Sequence, residues 1–237
     1  MLEIRNLTKT YKNGKKAVDH LSLTVANGDI YGFIGHNGAG KSTTIKSVVG
    51  VLDFEEGEIR IDGHDVKREP LRCKQVTAYI PDNPDLYEHL TGIQYLNFIG
   101  DIFGVTPGEK EKRIREYGDR FEITQALGDS IGSYSHGMRQ KVAIISALIH
   151  EPRLLVLDEP FVGLDPKASL MLKETMREIC SRGGAIFFST HVLEVAQKLC
   201  NKVAIIRDGR LVVDGDMEKL VRDHSLEDLF MEVTDGE

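Results

Sequence analysis

Apolar residues alternate with polar ones over residues 2–5 and 18–25 and run almost unbroken over 28–34, which predicts three strands forming a small antiparallel layer. Residues 42–50 follow as a helix. Residues 57–63 read as a short strand bounded by glycines, and 77–80 as another, stopped by Pro81. From Asp82 the texture changes. Residues 91–103 and 107–121 carry helical spacing with polar faces, and Thr91 and Thr106 are placed as caps. Residues 138–150 form a helix with an apolar face, ended by Glu151-Pro152. Strand patterns return at 154–157, 185–189 and 202–206. Between the first two lies a helix over 166–180 with Ala168, Leu172, Met176 and Ile179 on one side; Met171 and Met176 read as core. Asp208-Gly-Arg210 is a hairpin turn, and 216–230 is mostly helical.

Strands alternating with helices predict an α/β fold: a mainly parallel sheet covered on both faces, an N-terminal antiparallel β layer and an inserted helical subdomain. As one unit over 1–237, the α/β core takes 1–81 and 151–237 and the helical subdomain 82–150.

Composition narrows the class. Of 237 residues, 41% are hydrophobic and 28% charged, ordinary globular values that leave room for a sizeable core. A net charge of −7 argues against wrapping nucleic acid, since no basic excess neutralises phosphates. Three scattered cysteines without metal spacing read as reduced cytosolic thiols. No signal peptide precedes the first strand pattern, and the longest mostly apolar stretch, 142–149, falls far short of the ~18 residues a bilayer span needs. If the protein works at a membrane, another chain spans it.

The sharpest chemistry lies at Gly35-His36-Asn37-Gly38-Ala39-Gly40-Lys41-Ser42-Thr43, which matches G-x-x-x-x-G-K-[ST] between a strand and a helix. Such a loop cradles phosphate: its glycines turn successive N–H groups toward phosphate oxygens, Lys41 places positive charge against the β- and γ-phosphates, and Ser42 offers a hydroxyl to Mg²⁺. The chain is expected to bind a nucleoside triphosphate on a P-loop NTPase core. His36 is expected to point outward and contribute its backbone; the Lys12–Lys16 charge run reads as a solvated loop. Downstream, Leu154-Leu-Val-Leu-Asp158-Glu159 is an apolar strand ending in two acids, where ligands sit in α/β sheets. Asp158 can reach the Mg²⁺ shell, and Glu159 is placed to polarise an attacking water.

Between these motifs, Tyr134-Ser-His-Gly-Met-Arg-Gln140 opens a helix and resembles the signature motif of the ATP-binding cassette (ABC) ATPases. Gly163-Leu-Asp165 is similar to that family's D-loop, Ser189-Thr-His191 to its switch histidine, and Tyr11 stands where the family stacks an aromatic on adenine. The motifs follow family order over essentially the whole chain. The resemblance implies that Ser135 and Gly137 contact the γ-phosphate of ATP held on an opposite subunit, so that two cassettes sandwich two ATPs, and that His191 bonds the γ-phosphate and holds the attacking water. Two departures stand out. Asp82 occupies the place where the family usually has Gln touching Mg²⁺; as a shorter, charged group it can ligate the ion but alters the charge balance. The signature has His136 where Gly is usual and Met138-Arg139 before Gln140.

The implied function is the ATP-binding, ATP-hydrolysing subunit of a bacterial-type ABC transporter, dimerising as a homodimer or heterodimer and driving a separate transmembrane permease subunit, with no nucleic acid bound. It implies a cytoplasmic chain held peripherally on the inner face of the cell membrane through its partner, with residues 82–90 as the surface that receives short helices of the membrane subunit. Two rivals are a soluble cassette acting on ribosome or DNA, against which the single cassette and lack of heptads argue, and a binding-only regulatory cassette, against which intact Lys41, Asp158, Glu159 and His191 argue.

Overall fold

The computed structural model describes residues 1–222 and 224–235; of the positions read above, Asp223, Gly236 and Glu237 lie outside the described residues. Two sheets carry the fold. One is antiparallel, in the order β2 (Lys16–Val25), β1 (Leu2–Thr10), β4 (Glu56–Ile61), β5 (His64–Asp65). The other runs β10 (Arg210–Asp216), β9 (Lys202–Arg207), β3 (Ile30–Ile34), β8 (Ala185–Thr190), β7 (Leu154–Asp158), β6 (Thr77–Ile80), parallel throughout except for the edge strand β10.

The strand 28–34 therefore does not belong to the antiparallel layer. As β3 it sits between β8 and β9 at the middle of the parallel sheet, and the strand read at 57–63 takes its place beside β1. All five residues of β3 are buried. A strand covered on both faces shows a continuous apolar run, whereas β2 alternates as a half-exposed strand does.

The period of two sorts the core. Leu154 and Val156 on β7 and Tyr31 and Phe33 on β3 face the antiparallel sheet and helix α1 (Lys41–Val48). Leu155, Leu157, Ile30 and Ile34 face the opposite way, toward α5 (His136–Leu148), α6 (Pro166–Ser181) and α7 (Leu193–Leu199). Short α2 (Pro70–Val76) precedes β6, while α3 (Gly92–Ile102) and α4 (Pro107–Arg120) fill the stretch before α5.

Both predicted caps are present. Thr91 Oγ1 accepts from the Gln94 amide while the Thr91 amide donates to Gln94 Oε1 (3.3 and 2.9 Å), and Thr106 pairs likewise with Glu109. Each box contributes about 1 kcal/mol. The C-terminal reading needs correction. Strand β10 runs through Asp216, α8 (Met217–Leu220) is a single turn, and α9 (Leu226–Asp235) follows. Helices α2 and α7 escaped the pattern because seven residues are too few to show a helical period. Among the described residues no helix is long and apolar enough to cross a membrane.

His150, just past α5, stacks on Phe103 with ring centroids 3.7 Å apart, and burial holds its pKa down at about 4. The folded chain keeps this imidazole neutral while the unfolded chain protonates it near 6.5, so stability is lost as pH falls through that window. Acidification from pH 7 to 5 should cost about 2 kcal/mol through this group. In chemical denaturation at the two pH values His150→Phe should lose less than the parent; equal losses would contradict the assignment.

Candidate functional site

The carboxyl ends of β3, β6, β7 and β8 converge. In register, Ile80 lies beside Leu157, Asp158 beside Ser189 and Ile34 beside Thr190. The residues that follow these strands therefore meet around one opening, as ligand sites of parallel sheets do.

The loop after β3 curls because two glycines hold left-handed conformations, Gly38 at φ 85° and Gly40 at φ 114°. A β-carbon on Gly40 would lie 2.4 Å from the Ala17 carbonyl, so the loop closes against β2 only with glycine there. Helix α1 starts at once, aiming its free N–H groups and positive end at the opening.

Lys41 is 6% exposed. Its ammonium donates to the Gly35 carbonyl at 2.6 Å and the His36 carbonyl at 3.4 Å and stands 3.6 Å from Glu159 Oε1. The buried cation is thus satisfied by the loop that will present it, ready to exchange carbonyls for anionic oxygens.

Strand β7 delivers the two acids in different ways. Asp158, 3% exposed, accepts from Ser189 Oγ at 2.5 Å. Glu159 adopts φ 48°, a left-handed backbone that costs a non-glycine residue about 1–2 kcal/mol. That turn is held by Ser189 Oγ accepting from the Glu159 amide (3.0 Å) and by Glu159 Oε2 accepting from the His191 amide (3.3 Å). The Glu159 carboxylate thereby lies between Lys41 and the His191 ring, whose Nδ1 is 3.0 Å from Oε2. In the sequence Ser189 stands out only as the start of the segment that ends in His191. The signal for its own role is slight, a hydroxyl two residues before a histidine at a strand end.

A cavity of about 240 Å³ opens here. Of the predicted residues, Tyr11, His36, Asn37, Gly38 and Gly40 line it, as do Lys41, Ser42, Thr43, Asp82, Asp158 and Glu159. Gly35 and Ala39 are buried and turn away from it: Gly35 gives its carbonyl to Lys41, and the Ala39 carbonyl accepts from the Gly209 amide. His191 sits behind Glu159 rather than on the wall. Tyr11, 40% exposed, holds its hydroxyl 3.2 Å from Thr43 Oγ1, leaving its ring at the mouth.

Residues 12–16 are exposed, as the solvated-loop reading has it, and the fold adds a contact: a tight turn, with the Tyr11 amide donating to the Lys15 carbonyl, folds Lys15 back beside Tyr11, where it and Ala17 also line the cavity. His36 is exposed, but its ring is engaged, edge-on to Phe230 of α9 with centroids 4.8 Å apart.

The donors facing the cavity suit a hard divalent cation. Ser42 offers a hydroxyl and Asp158 and Asp82 carboxylates, all oxygen, with no soft ligand beside them. Burial pushes the Tyr79 hydroxyl up to about 12, and the negative charges of Asp158 and Asp82 add to it.

Ser135 and Gly137 do not reach this cavity. Ser135 caps α5, its Oγ accepting from the Met138 amide at 3.3 Å, and the first turn of α5 packs on the D-loop-like segment. The His136 ring occupies the space where Gly163 would carry a β-carbon, 2.4 Å from its Cδ2, and Lys141 pairs with Asp165 at 2.8 Å. Gly163, at φ 79°, is therefore required twice over. On the other side Arg139 pairs with Glu88 at 2.7 Å, tying this turn to the loop that follows Asp82.

Known proteins resemble the chain over nearly its full length. It is 33% identical to the ABC transporter ATP-binding protein NatA of Bacillus subtilis (strain 168), covering 97% of this chain and 95% of that one. It is 34% identical to the ABC-type transporter ATP-binding protein EcsA of the same organism, covering 99% and 96%. A solved structure described as the ATP binding subunit of an ABC transporter superposes with a TM-score of 0.94 at 34% identity, covering 98% of this chain and 99% of that one. A dimeric ATP-binding cassette, MJ0796 bound to ADP and Pi, shares the fold at 22% identity with a TM-score of 0.83, covering 92% and 99%. The family model described as ABC transporter matches residues 18–162, and with the phosphate loop, the acid pair and the signature turn arranged as above, this chain belongs to the ABC transporter family, among its ATP-binding ATPases.

Proposed function

We propose that the chain binds ATP with Mg²⁺ in the cavity at the strand ends, hydrolyses it with Glu159 as general base, and works as one of two facing subunits that drive a membrane-spanning partner. The observation that carries this reading is the convergence of Lys41, Asp158 and Glu159 on one cavity, with His191 3.0 Å behind Glu159.

On ATP arrival the Lys41 ammonium trades the Gly35 and His36 carbonyls for β- and γ-phosphate oxygens, and the N–H groups of the loop and of α1 close on the phosphates. Tyr11 stacks on the base. Ser42 and Asp158, with Asp82, would hold Mg²⁺, which when bound neutralises phosphate charge. Glu159 accepts the proton of the water that attacks the γ-phosphorus, and His191 orients that carboxylate and bonds the γ-phosphate.

Ser135 and Gly137 lie at the N-terminus of α5, away from the cavity of their own subunit, which supports their use on the ATP of a second subunit. In this reading residues 1–81 and 151–237 form the nucleotide core, and 82–150 form the helical subdomain that carries the signature turn to the opposite subunit.

The partner is a separate permease, and the chain is cytoplasmic, held at the inner membrane face through it. A groove of about 700 Å³ between the end of α1, β6, α3 and α5 favours this over residues 82–90 alone. Its walls include Val48, Leu52, Phe54, Ile99 and Phe103, while the hydroxyls of Thr77 and Tyr79, on the same walls, have no hydrogen-bond partner among the described residues. A short helix with an apolar face and a polar tip fits both features.

Co-expression with a candidate partner bearing several ~20-residue apolar spans tests this. The chain should stay on salt-washed membranes only with that partner, and Leu52→Glu should release it while ATP binding persists. Salt-resistant membrane binding without any partner would contradict the subunit model.

A further inference from the structure

The ring of His36, the second residue of the phosphate loop, meets the ring of Phe230 edge-to-face, with centroids 4.8 Å apart and planes at 61°. Phe230 is 7% exposed and belongs to α9, which lies beyond the residues matched by the family model. Helix α9 is anchored by contacts of its own. Ser225 and Asp228 cap it reciprocally, the Asp228 amide donating to Ser225 Oγ at 3.0 Å and the Ser225 amide to Asp228 Oδ2 at 2.9 Å. The Leu226 amide donates to Gln197 Oε1 at 2.9 Å, and Arg207 Nη1 donates to the Val233 carbonyl at 3.1 Å. Gln197 lies on α7, which begins two residues after His191. The helix is thus braced on the element that follows the switch histidine and on the end of β9, and its Phe230 reaches across to the phosphate loop.

The residue it holds is central to that loop. The His36 carbonyl accepts from Lys41 Nζ at 3.4 Å and from the Ala39 amide at 3.2 Å, so it sets both the turn and the resting place of the ammonium. Residues 36–38 are otherwise exposed. A glycine-rich loop with exposed tips loses much conformational freedom when it wraps a triphosphate. A contact already made in the free protein moves that cost out of the binding step.

We propose that Phe230 is a positioning residue for ATP binding: α9 holds the phosphate loop, through the His36 ring, in the shape that receives the triphosphate. Nucleotide affinity is then tied to the seating of the C-terminal helix, and anything that lifts α9 weakens ATP binding in the single chain, whether or not a membrane partner is present.

The test uses the full chain and Mg²⁺-ATP, measured by calorimetric titration and by steady-state hydrolysis. Phe230→Ala should raise the Kd and KM for ATP about three- to tenfold, the range expected for an aromatic pair, with kcat at saturation within about twofold. Phe230→Leu keeps an apolar group in place, so its melting temperature should stay near the parent's while its Kd still rises. His36→Ala, at an exposed position, should raise Kd similarly, and adding Phe230→Ala to it should raise Kd no further, since both remove one contact. Parental affinity in both Phe230 variants, or a double variant whose loss is the product of the single losses, would overturn the proposal and leave α9 as packing alone.

Discussion

Glu159→Gln should bind Mg²⁺-ATP with at least parental affinity and hydrolyse it about 10²- to 10⁴-fold more slowly, the range by which a positioned general base accelerates a reaction. The amide keeps the size of the side chain and an oxygen that can still accept from the His191 amide, 3.3 Å away. It cannot take a proton from water. It also removes the negative charge 3.6 Å from Lys41, which releases the ammonium toward phosphate and works in favour of binding. Because the signature turn stands away from the cavity of its own chain, the stalled ATP state should be a dimer, visible by light scattering with ATP and Mg²⁺ and absent with ADP. Rapid turnover by the variant would remove Glu159 from the role of base. A monomer at saturating ATP, with hydrolysis blocked, would mean that the facing subunit is a different chain.

Lys41→Ala should weaken ATP binding by about 30-fold or more, as expected when a charge-assisted contact of ~2–3 kcal/mol is lost. The damage has two parts. The triphosphate loses its side-chain counter-ion, and Glu159, only 13% exposed at its side chain, is left without the cation beside it. Fluorescent-nucleotide titration reads the loss of affinity, and single-turnover hydrolysis at saturating ATP reads the effect on Glu159. Parental affinity in this variant would show that the loop does not hold the triphosphate through Lys41.

Much of the site was legible in the sequence because its chemistry is local. Nine consecutive residues around Gly38 and Lys41 carry the loop, and Asp158 and Glu159 follow one another at the end of an apolar strand, so spacing alone announced them. Thr91 and Thr106 were readable as caps for the same reason, since a capping box spans four residues. What was misread or missed depended on packing. An apolar run such as 28–34 looks alike in either sheet, and only the covering of both faces of β3 assigns it to the parallel one. The run of lysines after Tyr11 gave no sign that a tight turn returns Lys15 to the cavity wall. His36 and Phe230 are 194 positions apart, and nothing in either neighbourhood marks them as partners.

The sequence by itself determined the reaction class, the phosphate loop, the two acids and the α/β alternation, because each is set by residue type and short spacing. The tertiary structure alone decided where the acids point. The left-handed backbone at Glu159, pinned by Ser189 and the His191 amide, turns one carboxylate toward Lys41 while Asp158 stays in line with its strand. It also decided that His136 lies on Gly163 and that α9 reaches the phosphate loop. Such contacts join segments far apart in the chain, and their free energy comes from close packing and buried hydrogen bonds that exist only once the sheets and helices have closed on one another.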